Sequence, residues 1–195
     1  MIMKKILITL CIIMLSFAMR AQEHMTFMGI PIDGKISTFT QKLEDKGFTY
    51  VKTEDGVTFL TGSFAGNRDC IILVASSIKS LTVWKVLVVF PSKSSWESLK
   101  NEYQTMKSLY SRKYGEPNIY EFFISPYYEG DGYEMTAISI GKAHYESFFK
   151  TNDGYIHLAI KDGKYRSGCV AVGYEDGINV KIKSQEEESS ISEDI

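Results

Sequence analysis

The chain has 195 residues, with 22 Lys and Arg against 24 Asp and Glu, three histidines and three cysteines. That length fits one domain behind a short leader, and the near-neutral balance supplies no basic patch of the kind a nucleic-acid partner requires. Three cysteines are too few for a disulfide framework.

Met1–Lys5 is basic, Ile6–Ala18 is a continuous apolar run, and Arg20-Ala21-Gln22 offers a small residue at a cleavage position. This is the layout of a signal peptide over residues 1–21, cut near Ala21-Gln22, and its apolar core is too short for a comfortable membrane span. A lipid anchor on Cys11 is disfavoured, because Cys11 lies inside the apolar core after the large Leu10. The expectation is therefore a periplasmic or secreted protein, touching a membrane only through the leader before cleavage. Losing Lys4, Lys5 and Arg20 leaves 19 basic residues against 24 acidic ones, a net charge of about −5. Five of the acids fall in the last ten residues, so the body is close to neutral.

Residues 22–34 read as an extended entry segment that turns at Asp33-Gly34. Residues 35–179 read as one α+β domain. Ile36, Phe39 and Leu43 recur at helical spacing, and Gly47 is placed to end that helix. Strands are expected at Phe48–Lys52, Val57–Phe64, Cys70–Ser76 and Leu81–Phe90, the last apolar on both faces and hence central in its sheet. Ser94 and Glu97 predict a capping box before a helix that runs to Gly115, with Trp96, Leu99, Tyr103, Met106 and Tyr110 as its stripe. Further strands are expected at Ile119–Ser125, Tyr133–Ile140, Ala143–Lys150, Tyr155–Lys161 and Gly168–Glu175, with a loop at Pro126–Gly132. Residues 180–195 are polar and acidic and predict a disordered tail.

Each half thus holds one helix and about four strands, which predicts two main helices on one side of an antiparallel sheet of about eight strands. A local similarity accompanies this layout. Gly56-Val57-Thr58-Phe59-Leu60 leads to Cys70, and Gly154-Tyr155-Ile156-His157-Leu158 leads to Cys169, with nearly equal spacing. Either an ancient duplication or two hairpins of similar length would produce it. The layout resembles the tandem helix and sheet units of the β-lactamase-inhibitory protein family, which are exported binders; that resemblance is architectural and transfers no binding residue. Gly29-Ile30-Pro31-Ile32-Asp33-Gly34, Phe39, Leu43, Lys46-Gly47-Phe48, Trp96, Leu99 and Lys113-Tyr114-Gly115-Glu116-Pro117 resemble a group of small exported Bacteroidetes proteins of unknown function. That likeness implies export and no particular activity.

Chemistry is sparse. His144 and His157 fall in predicted strands and read as half-buried structural residues, and His24 lies near the start. No metal-ligand spacing, nucleophile elbow or cofactor motif is present, so no metal or cofactor is expected. The six Asp-Gly steps read as turn signals. Acids in the loop after Tyr127-Tyr128 could attract Ca²⁺, but the twelve-residue calcium pattern is missing. The same loop carries the best binding candidates, Tyr120, Tyr127, Tyr128 and Tyr133, since tyrosine combines large contact area with a polar tip. Cys70 and Cys169 form a candidate disulfide. The expected function is a non-catalytic binding module for an envelope or extracellular protein. The competing readings are an envelope hydrolase using scattered carboxylates and a binder of a small apolar ligand.

Overall fold

The structure, a computed structural model, describes residues 23–164 and 166–193. The leader expected over residues 1–21, Cys11 within it, Tyr165 and residues 194–195 lie outside the described residues. Among those described, no helix is long and apolar enough to cross a membrane.

The entry segment pairs with itself: β1 (Thr26–Phe27) turns through Met28 and Gly29, both at positive φ, into β2 (Ile30–Pro31). Two units follow. The first is α1 (Ile36–Glu44) and the meander β3 (Thr49–Glu54), β4 (Val57–Phe64), β5 (Asn67–Ser76) and β6 (Val83–Val89). The second is α2 (Trp96–Tyr114), β7 (Asn118–Phe123), the short α3 (Glu134–Ser139), β8 (Ala143–Lys150), β9 (Gly154–Asp162) and β10 (Gly168–Asp176). A closing helix, α4, spans Asn179–Glu193.

Among the described residues the main sheet has eight strands in the order β3-β4-β5-β6-β10-β9-β8-β7, and every pairing is antiparallel. The last strand of each meander meets the other at the centre, so β6 is interior, as its two apolar faces require. Helices α1 and α2 lie on one side of the sheet. Phe39 and Leu43 from α1, and Leu99, Tyr103, Met106 and Tyr110 from α2, are buried against alternate strand residues such as Leu60, Ile72, Val88, Val172, Leu158 and Phe149. Two polar tips are matched inside this layer: the hydroxyls of Tyr103 and Ser147 lie 2.6 Å apart, and Tyr110 bonds Tyr174.

Helix ends follow local chemistry. Gly47 and Gly115 adopt positive φ where α1 and α2 stop. The cap of α2 is one residue later than the expected Ser94: Ser95 Oγ accepts from Ser98 N at 3.4 Å.

Two segments differ from the sequence expectation. Residues 134–139 form α3 rather than a strand, because adjacent Ala137 and Ile138 are both buried and the Glu134 carboxylate accepts from Gly130 N at 2.8 Å. Alternating Thr136, Ile138 and Ile140 resemble a strand over so short a window. The tail expected to lack order runs as α4, and its anchors are tertiary. Asp176 Oδ1 accepts from Ile178 N (3.0 Å) and Asn179 N (2.7 Å) at the helix start, while Glu186 accepts from Lys79 N and Ser80 N.

The matched Gly-to-Cys segments are the β4–β5 hairpin and the β9–β10 hairpin. These are the second and third strands of one meander, but the third and fourth of the other. Similarity in sequence is therefore displaced by one strand from the repeat in topology, which favours two hairpins of similar length.

The candidate disulfide is not formed; both thiols are free and buried. Strands β5 and β10 flank β6, with Ile71 and Ala171 both opposite Val89, which puts their Cα atoms about 10 Å apart. Cys70 alternates with Ile72 on the helix side, whereas Cys169 alternates with Ala171 on the other face. A bridge requires Cα atoms within about 7 Å, so the sheet itself separates the pair. Burial pushes both thiols up from their ordinary range.

A candidate binding surface on the open sheet face

Directly opposed residues of an antiparallel pair share a face. On β7 and β8 the opposed pairs are Asn118 with Phe148, Tyr120 with Glu146 and Phe122 with His144. Their neighbours Glu121 and Ser147 meet Lys107 and Tyr103 on the helix side. These six side chains therefore stand on the face away from α1 and α2, where they line a hollow of about 430 Å³.

Its rings brace one another. Tyr120 meets Phe148 edge to face at 5.8 Å, His144 stacks on Phe122 at 4.9 Å, and His157 of β9 stacks on Phe148 at 4.2 Å, with planes 5° apart. Such arrangements hold the rings in position. Tyr120 is 54% exposed and Phe122 48%, so the hollow is open to solvent. Register carries the surface across the sheet, from Phe148 through His157, Gly173, Leu87 and Leu73 to Phe59 and Lys52. The Lys52 ammonium lies 5.1 Å over the Phe59 ring.

Glu146 sits at the floor between the rings. Its carboxylate bonds His157 Nε2 at 2.8 Å and lies 3.5 Å from Lys161 Nζ. Burial alone would raise the Glu146 pKa, but Lys161 and His157 outweigh it and hold the group below the usual carboxylate range. His157 is pushed down, first by burial, with Lys161 and Lys85 adding to the effect against the pull of Glu146.

That depression has a stability consequence. The folded state prefers neutral His157, while the unfolded chain takes up a proton near pH 6.5. Stability is full above that value and falls as pH drops through it toward the folded pKa. Glu146 acts in the same direction at lower pH. We expect urea midpoints to fall between pH 7.5 and 5.5, and His157→Gln to flatten that decline. An unchanged slope in the variant would reject this role for His157.

The sequence candidates divide between two places. Tyr120 lies in the hollow. Tyr127, Tyr128 and Tyr133 belong to the loop after β7, which is tied to the helix side through Glu129: its carboxylate receives Trp96 Nε1 (3.4 Å), Tyr145 OH (3.3 Å) and Lys100 Nζ. Tyr128 and Tyr133 are exposed and Tyr127 half-buried, but none lines the hollow. The other acid of the loop, Asp131, serves the loop itself, accepting from Tyr128 N (3.0 Å) and Tyr133 N (2.7 Å). Sequence reading missed Asn118, His144, Glu146 and Phe148 as surface partners. Their signal was the alternation in Ala143–Lys150, which places His144, Glu146 and Phe148 on one face without saying which.

No family model matches this chain, and no curated protein or solved structure matches it either.

Proposed function

We propose that the protein is an exported, non-catalytic binding module that takes up an envelope or extracellular protein on the open face of its sheet. The carrying observation is the ring-lined hollow of β7 and β8, continuous with an apolar floor that no helix of the two units covers. Exposed, mutually braced aromatic rings supply contact area at low entropic cost, the chemistry of interface anchors. The sequence of residues 1–21 supports the address.

The carboxylate arrangement does not favour the hydrolase reading. Among the described residues, the acids with a resolved shift (Asp33, Glu54, Glu129, Glu146 and Glu186) are all held below their ordinary range, whereas a general acid near neutral pH needs a raised one. An open hollow also suits a protein surface better than a small apolar ligand, which favours enclosure.

The test is capture from the producing cell's own envelope extract by immobilised mature protein, beside the Tyr120→Ala/Phe148→Ala variant. For its Tyr120→Ala half made alone, a partner retained by the parent should drop by about thirtyfold or more, the loss of one strong anchor, at an unchanged melting temperature because Tyr120 is exposed; the double variant should lose at least as much. Equal retention by both proteins would sink the reading.

A further inference from the structure

The two edges of the main sheet are built differently. Strand β3 carries a bulge between Tyr50 and Lys52, and Lys52 and Glu54 form an ion pair along it. Bulges and edge lysines are the usual protections against pairing with another chain. Strand β7, Asn118-Ile119-Tyr120-Glu121-Phe122-Phe123, has neither. Its register with β8 is unbroken over six residues, it holds no Lys, Arg or Pro, and Ile119, Tyr120 and Phe122 are each about half exposed. Its outer backbone N–H and C=O groups form an open template for one more antiparallel strand.

We propose that this edge pairs with β7 of a second copy of the chain, joining two eight-stranded sheets into one of sixteen strands. A two-fold axis normal to the sheet makes the pair antiparallel and keeps both helix layers on the same side. Only residues of the same face can then oppose one another, which leaves few registers. Centring on Glu121 sets two carboxylates against each other, and like charges directly opposite destabilise a pair. Centring on Tyr120 avoids this: Tyr120 faces the partner's Tyr120, Asn118 faces the partner's Phe122, and Ile119 faces the partner's Glu121. Five residues of each strand pair, and the two ring-lined hollows meet at the axis. The edge contact is made by the outer backbone groups of β7 and needs no occupant in the hollows.

Ile119 reports the register without touching the hollow, because it lies on the helix side with Glu121. Sedimentation equilibrium of the mature chain should show a reversible dimer at micromolar concentrations. Ile119→Glu creates two like-charge pairs with the partner's Glu121 and should raise the dissociation constant by about tenfold or more. Ile119→Lys creates two opposite-charge pairs and should keep or tighten the dimer. A parent protein that remains monomeric at high micromolar concentration overturns the proposal. So does a dimer that both variants weaken equally or that neither changes. Retention of the envelope partner by monomeric Ile119→Glu would leave the binding reading intact, so the two can fail separately.

Discussion

Asp176→Ala is expected to lower the unfolding free energy by about 3–5 kcal/mol, measured by urea denaturation. The Asp176 carboxylate is fully buried at the end of β10. One oxygen accepts from Met25 N at 2.7 Å; the other accepts from Ile178 N and Asn179 N and lies 3.1 Å from His24 Nδ1. A single side chain thus ties the entry segment to the last central strand and starts α4. Beside it, Asn179 Nδ2 reaches Ile32 O and Val83 O, both at 2.9 Å. Alanine strands two buried backbone donors, Met25 N and Asn179 N, and the part-buried Ile178 N, with each buried donor costing about 1–3 kcal/mol before relaxation and water entry reduce the sum. Asp176→Asn keeps one acceptor oxygen and should lose about half as much. Amide exchange should show the earliest loss of protection at Met25 and Asn179. A change within about 1 kcal/mol for the alanine variant would mean that the knot follows the fold rather than holding it.

Gly168→Ala and Leu99→Ala should each destabilise the protein, and together cost less than their sum. A Cβ on Gly168 would stand 2.3 Å from Leu99 Cδ2, and Leu99 is fully buried in the α2 stripe. Overpacking there is expected to cost about 1–3 kcal/mol. Truncating Leu99 leaves a cavity against the sheet and should cost about 2–5 kcal/mol. The added methyl occupies part of that cavity, so a double-mutant cycle should return a favourable coupling of about 1–2 kcal/mol. Strict additivity would place the cost of Gly168→Ala in the backbone, where Gly168 and Lys93 exchange hydrogen bonds of 2.9 and 2.7 Å.

The parts of this fold that were legible in the chain are those governed by local period. Phe39 and Leu43 mark α1, four residues at spacings of four, three and four mark α2, and the bounds of β4 and β8 match the alternating runs Val57–Phe64 and Ala143–Lys150. The short α3 was not legible, because six residues with alternating β-branched side chains serve either period until Ala137 and Ile138 are both seen to be buried. Helix α4 was not legible either: its sequence is mostly polar, with Val180, Ile182 and Ile191 as its few apolar residues, and its anchors are Asp176, Asn179 and the distant backbone of Lys79 and Ser80.

The candidate site depended on a parity that a single sequence does not carry. Alternation puts residues i and i+2 together, but a shift of one residue in register exchanges the two faces of a strand. Tyr120 and the tyrosines of the following loop are neighbours along the chain, yet the strand turns Tyr120 to the open face while Glu129 ties the loop to the helix side. Cys70 and Cys169 begin similar apolar runs, yet opposite parity and the intervening β6 keep them apart. Strand β10 is buried along almost its whole length, so its apolar pattern held no sign of the face each residue would take. By itself the sequence determined an α+β class, two helices with defined inward stripes, and the centrality of β6, because each follows from local periodicity and from which side chains avoid water. Which face each strand residue occupies, which rings share a hollow and which edge is left unprotected were decided by the tertiary structure, because strand order and register exist only once distant segments have paired.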